Sequence, residues 1–311
     1  MSNDELAEFV DTSDEWIYSH TGIRYRHIAA DTEAASDLGV AAVKKLMRQS
    51  GIDGDDIDLI LLATSTPDYI GLPSTACVVQ NAVDAVRAGA MDVMAACTGF
   101  VYALETARSF VVSGSAKNVL VVGAEVYSKI LNWKDRSTCV LFGDGAGAAL
   151  VTQSEDENSY ILDSILGSRG RDADSLLRAA GGTRTPYVPG ETPEDDRFLK
   201  MNGRKVYLFA VQALGKTIHD LVARNGLEMD DIRYIVPHQA NVRIIEAAGK
   251  RLGIPREKFY LNIEEYANTS AASIPIALAE MDEKELLNRG DLIVTVGFGS
   301  GLTYGGNILR W

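Results

Sequence analysis

The chain has 311 residues, 46% apolar and 23% charged, with a formal net charge of −13, which suits a soluble globular protein of one large domain or two packed halves. The acidic balance excludes a general nucleic-acid binder, because phosphate backbones would be repelled, and no apolar run reaches the ~18–20 residues that span a bilayer. Cys77, Cys97 and Cys139 are widely spaced and odd in number, and Met1-Ser-Asn-Asp-Glu5 lacks a basic, then apolar, leader, so neither a disulfide scaffold nor a signal peptide is expected and the compartment is the cytoplasm.

In chain order, periodicity predicts helices at Ala34–Ser50, Ser74–Ala88, Gly99–Ser113, Lys205–Asn225, Asn241–Leu252 and Ile274–Leu287. Short β-branched runs predict strands at Leu59–Ala63, Val119–Val122, Cys139–Phe142, Ala148–Val151, Tyr234–Val236 and Leu292–Val296. This alternation predicts α/β layering. The polar, proline-bearing stretch Gly181–Arg197 reads as an exposed excursion. Two segments recur in the same order. Gly51-Ile-Asp-Gly-Asp-Asp-Ile-Asp-Leu-Ile60 matches Gly226-Leu-Glu-Met-Asp-Asp-Ile-Arg-Tyr-Ile235, and Phe142-Gly-Asp-Gly145 matches Phe298-Gly-Ser-Gly301. Duplication into halves 1–155 and 156–311 is therefore expected, with a site where the halves meet.

Cys97 lies in Ala95-Ala-Cys-Thr-Gly-Phe100, at the start of a helix whose apolar face carries Val101, Leu104, Ala107 and Val111. Free N–H groups and the macrodipole favour an anion there, so the expectation is a thiol pKa below its usual ~8.5. Taken alone, a cysteine of this kind is more often a packed structural thiol, and Cys77 and Cys139 keep that reading. His238, in Val236-Pro-His-Gln-Ala-Asn241, follows a strand, where α/β sheets place functional groups. Asn268, in Tyr266-Ala-Asn-Thr-Ser270, precedes a helix, where an Asn is also a common cap. The loop Gly297–Gly306 opens no helix, so it is no dinucleotide fingerprint; its glycines let backbone N–H donors approach an oxyanion. Arg243–Arg251 is a basic stretch with room for one acidic ligand, or an ordinary solvated helix face.

Together these segments resemble the β-ketoacyl-acyl carrier protein synthase III family of the thiolase superfamily, from about Asp4 to Trp311. The motifs that carry the resemblance are Asp11-Thr-Ser-Asp-Glu-Trp-Ile17, Thr21-Gly-Ile-Arg24, Ala95-Ala-Cys97, Phe142-Gly-Asp-Gly-Ala-Gly147, Val236-Pro-His-Gln-Ala-Asn241 and Asn268-Thr-Ser-Ala-Ala-Ser273. The fold it implies is a thiolase-like duplicated αβαβα layering. The family's first strand is absent ahead of Asn3-Asp-Glu-Leu6, which is expected to vacate an internal sheet position.

The resemblance also implies a Cys97–His238–Asn268 triad and an oxyanion hole from the backbone N–H groups of Cys97 and Ser300. Coenzyme A contacts fall on Thr12, Trp16, Arg24, Arg136, Gly203 and Asn241. Carrier-protein docking falls on Gln239, Arg243, Lys250 and Arg251. Leu72, in Tyr69-Ile-Gly-Leu-Pro73 where the family often has an aromatic, is expected to close the acyl pocket of a homodimer partner. On their own, Trp16 reads as a half-buried aromatic and Arg24 and Arg136 as surface ion-pair residues.

The implied activity is priming of fatty acid synthesis: condensation of acetyl-coenzyme A, or a short branched acyl-coenzyme A, with malonyl-acyl carrier protein. Neutral His238 and Asn268 are expected to donate to the enolate. No metal, nicotinamide, flavin, nucleic acid or membrane partner is implied. Other readings stay open: a specialised condensing enzyme using coenzyme A thioesters alone, a Cys/His thioester hydrolase, or a structural protein.

Overall fold

The computed structural model describes residues 1–154 and 159–311; the expected boundary between the halves, at residues 155 and 156, lies outside the described residues. The first half runs α1 (Asn3–Leu6), α2 (Asp14–Thr21), α3 (Ala35–Ser50), β1 (Leu59–Ala63), α4 (Thr75–Ala82), β2 (Gly89–Val93), α5 (Gly99–Val112), β3 (Asn118–Glu125), α6 (Arg136–Cys139) and β4 (Gly145–Thr152). The second runs β5 (Tyr160–Ser168), β6 (Leu176–Arg178), β7 (Leu199–Met201), α7 (Gly203–Arg224), β8 (Ile232–Pro237), α8 (Val242–Leu252), α9 (Ile263–Tyr266), α10 (Ser273–Glu283), β9 (Leu292–Gly299) and β10 (Thr303–Arg310).

Two four-stranded sheets carry the architecture, ordered β2-β1-β3-β4 and β5-β10-β9-β8. In the first, β1 is parallel to β2 and β3, and β4 is antiparallel to β3. In the second, β8 is parallel to β9, and β10 is antiparallel to both β9 and β5. Thus β1, β3 and β4 correspond to β8, β9 and β10. The duplicated turns match in detail. Gly51 and Gly226 follow α3 and α7 at φ +73° and +64°, values that favour glycine. Beyond each, a carboxylate accepts the backbone N–H three residues back, Asp56 from Asp53 and Asp231 from Glu228.

Burial fixes the layering. Apolar faces of α5 and α10 fill the space between the sheets with β1, β3, Val236 and Ile293. Helices α3 and α4 cover the outer face of the first sheet, and α7 and α8 that of the second. This is the expected αβαβα order.

Several expectations are corrected. Cys139–Phe142 is not a strand, because Asp135 caps α6, accepting from Ser137 N at 2.9 Å and Thr138 Oγ1 at 3.0 Å. Its Phe142 turn therefore leads into β4, whereas Phe298 and Gly299 end β9, so the second repeat is only approximate. The helix expected to reach Ala88 ends at Ala82, before Asp84 at φ +54°. The sheet position expected to be internal is an edge: β3 already pairs with both neighbours, and among the described residues no strand lies on the outer side of β4, the place that β5 takes beside β10. A cleft of about 400 Å³ runs along that edge between α3 and α10.

Candidate active site

Small residues bring the two halves together at Cys97. The thiol sits on a tight turn, Ala96–Thr98, between β2 and α5, with Ala96 at φ +47°. Thr98 Oγ1 ties the turn to the second half, lying 2.6 Å from Ala95 O and 2.8 Å from Thr303 Oγ1. Opposite it stands the end of β9. A Cβ on Gly299 would lie 2.8 Å from Cys97 N and 3.0 Å from Cys97 Cβ, so only glycine permits that approach. A Cβ on Gly123 of β3 would likewise fall 2.5 Å from Ala271 O, in the loop after Asn268.

His238 follows β8, and its backbone N–H donates to Val296 O at 2.8 Å. Phe298 packs edge-on against the imidazole, with ring centroids 5.4 Å apart. Nδ1 lies 2.8 Å from Ser273 Oγ, whose hydroxyl donates to Ser270 O at 2.9 Å. Asn268 is pinned by its backbone, donating to Leu141 O at 2.9 Å and accepting from Gly143 N at 3.1 Å. Its Oδ1 accepts Ser270 N–H at 2.9 Å. This is a local turn from 268 to 270 and not the expected helix cap, since Thr269 and Ala272 hold the cap positions that follow, and it leaves the Nδ2 donors for the cavity. Cys97, His238 and Asn268 all line one cavity of about 170 Å³, together with Phe298 and Gly299, and Asn241 and Gly203 also line it.

Burial reverses the expected electrostatics of Cys97. The residue is only 4% exposed, and desolvation pushes its thiol up to about 12; the Ser270 hydroxyl opposes this and the Glu125 carboxylate adds to it. The helix start does not outweigh the loss of water. The resting nucleophile is therefore a neutral thiol that needs a base at the moment of attack. His238 is pushed down to about 3 by burial and is neutral at physiological pH.

That burial has a measurable cost in acid. The unfolded chain binds a proton near the ordinary value of 6.5, while the folded chain resists it. Stability is thus full above about 6.5 and falls as pH drops from there towards about 3, by about 1.4 kcal/mol per pH unit for this one group. Urea unfolding between neutral and mildly acidic pH should show that slope reduced by about one proton in His238→Gln. An unchanged slope would mean that His238 does not resist protonation.

The remaining expected residues divide. Arg136 lies over the Trp16 ring at 4.8 Å and donates to Asp11 O at 2.8 Å. Trp16 stacks on His20 at 4.5 Å, and Asn241 Nδ2 donates to His20 O at 3.1 Å, which links the aromatic platform to the cavity. Arg24 pairs instead with Asp14 at 2.7 Å and Glu264 at 3.1 Å, over Tyr18. Thr12 is partly buried on the segment before α2. Ser300 follows Gly299, and its hydroxyl is bound to Leu176 O.

Gln239 does not belong to a docking surface. It is 1% exposed and its amide is consumed by Pro237 O, Tyr260 O and Asn262 N. Arg243, Lys250 and Arg251 are exposed on α8, with Arg243 Nε donating to Ser19 O at 3.1 Å. Leu72 is 86% exposed beside exposed Tyr69 and Ile70, away from the cavity lining of its own chain.

Two residues behind the site escaped sequence reasoning. Ser273 holds His238. Glu125, fully buried at the end of β3, accepts from Thr66 Oγ1 at 2.7 Å, Ser65 N at 3.0 Å and Thr66 N at 3.1 Å. Among the described residues no helix is long and apolar enough to cross a membrane, and no cluster of His, Cys, Asp and Glu is placed to hold a metal.

Comparison with known proteins gives the family. Residues 91–170 match the family model for 3-oxoacyl-[acyl-carrier-protein (ACP)] synthase III, and residues 222–311 match the model for its C-terminal part. The chain is 47% identical to a β-ketoacyl-[acyl-carrier-protein] synthase III of Clostridium tetani, covering 100% of this chain and 94% of that one. A solved β-ketoacyl-[acyl carrier protein] synthase III of Thermus thermophilus has a TM-score of 0.93 at 42% identity, covering 100% and 95%. The priming β-ketosynthase of the R1128 polyketide pathway is similar at 34% identity and a TM-score of 0.91, covering 99% and 91%.

Proposed function

Since the chain belongs to the 3-oxoacyl-[acyl-carrier-protein] synthase III family, we propose that Cys97, His238 and Asn268 perform its decarboxylative condensation. It is an acyltransferase, the condensing enzyme that initiates fatty acid synthesis. The observation that carries the assignment of residues is their convergence on one cavity.

The chemistry follows from what each group offers. Cys97 sulfur attacks the thioester carbonyl of an acyl-coenzyme A as its proton passes to the His238 lone pair. Backbone N–H groups of Cys97 and Ser300 hold the oxyanion. Coenzyme A departs as its thiol, taking that proton, and the acyl group stays on Cys97. Malonyl-acyl carrier protein then loses carbon dioxide, with its enolate oxygen held by the Asn268 Nδ2 donor beside His238. The carbanion attacks the acyl thioester, Cys97 is released as a thiolate that takes up one proton from water, and the β-ketoacyl product leaves on the carrier. Loss of carbon dioxide drives carbon–carbon bond formation, so the sequence balances without a metal or a nicotinamide or flavin cofactor. The primer is a short acyl group, acetyl or a small branched one, as suits the enzyme that initiates the chain.

Coenzyme A is placed with its adenine on Trp16. The Arg136 guanidinium occupies that face at 4.8 Å and must swing aside to sandwich the base. Thr12, Arg24, Gly203 and Asn241 complete the path inwards. A homodimer brings the exposed Leu72 of one protomer to the acyl pocket of its partner.

The test offers a panel of acyl-coenzyme A primers, followed by malonyl-acyl carrier protein or malonyl-coenzyme A. Intact mass should show one short acyl group on Cys97, and β-ketoacyl product should form on the carrier. Turnover with malonyl-coenzyme A alone would indicate a specialised condensing enzyme, and free acid a hydrolase. Arg243 and Lys250 are exposed on α8, and the carrier is acidic. Reversing both charges should therefore raise KM for the carrier at least about tenfold and flatten its salt dependence, with primer acylation unchanged. An unaltered KM would remove α8 from the docking surface.

A further inference from the structure

The two half-reactions ask opposite things of one atom. Taking the Cys97 proton needs a lone pair on His238 Nε2, whereas donating to an enolate needs a proton there. A neutral imidazole offers one or the other, and the partner of Nδ1 decides which. That partner is Ser273 Oγ, 2.8 Å away. Ser273 is 2% exposed at the start of α10, so water does not compete for it.

Ser273 has one hydroxyl proton, and Ser270 O, which can only accept, lies 2.9 Å from Oγ. With that proton committed to Ser270 O, Oγ has only lone pairs left to offer. Gln239 N–H points at the same oxygen from 3.4 Å. All of these contacts are satisfied together when Nδ1 carries the ring proton. We infer that Ser273 is a positioning residue that locks His238 in the Nδ1–H tautomer and presents a bare Nε2 to the cavity as the acceptor for the Cys97 proton.

This inference rests on the triad assignment and divides its labour. Asn268, whose Oδ1 is already held by Ser270 N–H, is the standing hydrogen-bond donor. His238 is the proton acceptor, and it donates from Nε2 only while it holds the proton it has accepted. The balance is simple: one proton leaves Cys97 Sγ as the sulfur–carbon bond forms, rests on Nε2, and leaves with the coenzyme A thiol.

Nitrogen-15 labelling of histidine tests the tautomer directly, because the chain has only four histidines and His238→Gln identifies the resonances of His238. At neutral pH the wild-type spectrum should show a protonated Nδ1 and a bare Nε2. In Ser273→Ala the Nε2–H form should appear. Acylation of Cys97 by acetyl-coenzyme A should slow about 10–100-fold, while malonyl decarboxylation falls by less than about threefold. Ser273→Thr, which keeps the hydroxyl, should restore both the spectrum and acylation. An Nε2–H tautomer in the wild type, or equal loss of both half-reactions in Ser273→Ala, would overturn the inference. The spectrum reports on Ser273 and His238 whether or not the triad assignment holds, so failure of one is distinguishable from failure of the other.

Discussion

Cys97→Ala should take up no acyl group from acetyl-coenzyme A in an intact-mass assay, while retaining malonyl-carrier decarboxylation to within about tenfold of wild type. The asymmetry follows from the roles proposed for the site. The acyl group needs a covalent acceptor, and nothing else in the cavity lining offers a thiol. Decarboxylation needs only donors at the enolate oxygen, and the anchors of His238 and Asn268 do not pass through Cys97 Sγ. His238 is held by Val296 O and Ser273 Oγ, and Asn268 by Leu141, Gly143 and Ser270. Truncating a single buried sulfur should cost about 1 kcal/mol of stability, too little to unfold the chain. Condensation that persisted in the variant would remove Cys97 from its role, and simultaneous loss of decarboxylation would mean that the sulfur organises the donors.

The parts of this site that periodicity and turn chemistry reveal were legible in the sequence. Leu59–Ala63 is buried along its whole length and reads as a strand with the bounds it adopts. The Gly51 and Gly226 turns announced the duplication because a left-handed helix end selects glycine. Other strands were hidden by composition. Gly89–Val93 has a partly exposed pattern with no apolar alternation, and the glycine pair Gly305-Gly306 in β10 weakens a β signal. Those glycines are there because Cβ atoms would meet Ile165 O and Thr295 O at 2.7 Å, a constraint set by packing between strands.

Electrostatics was the least legible. The local cue at Cys97, a helix start, favoured a thiolate, but the two halves close over the residue and desolvation wins. Gln239 shares a motif with His238 yet points into the protein. Ser273 looked like an ordinary residue at a helix start. Its role depends on a carbonyl three residues back and an imidazole thirty-five residues away, a meeting visible only in three dimensions.

His238→Ala and Asn268→Ala should fail in different ways, and the difference tests the division of labour. Removing His238 takes away the acceptor for a thiol pushed up to about 12, so acylation should fall about 100-fold or more. Decarboxylation should fall far less, because Asn268 is the standing donor to the enolate oxygen. Removing Asn268 takes away Nδ2, the donor left free once Oδ1 is bound to Ser270 N–H. Decarboxylation should then drop about 100- to 1,000-fold, the usual cost of one oxyanion donor, with acylation reduced far less. Stopped-flow acylation and release of labelled carbon dioxide measure the two halves separately. Equal losses in both assays for both variants would mean that the pair acts as one undivided unit. Acylation surviving intact in His238→Ala would require another base, and the carboxylate that acts on the Cys97 thiol is that of Glu125. Its Oε2 is already engaged by the Thr64–Thr66 turn and its Oε1 accepts from Ala271 N at 3.4 Å, so a double variant with Glu125→Gln would decide between them.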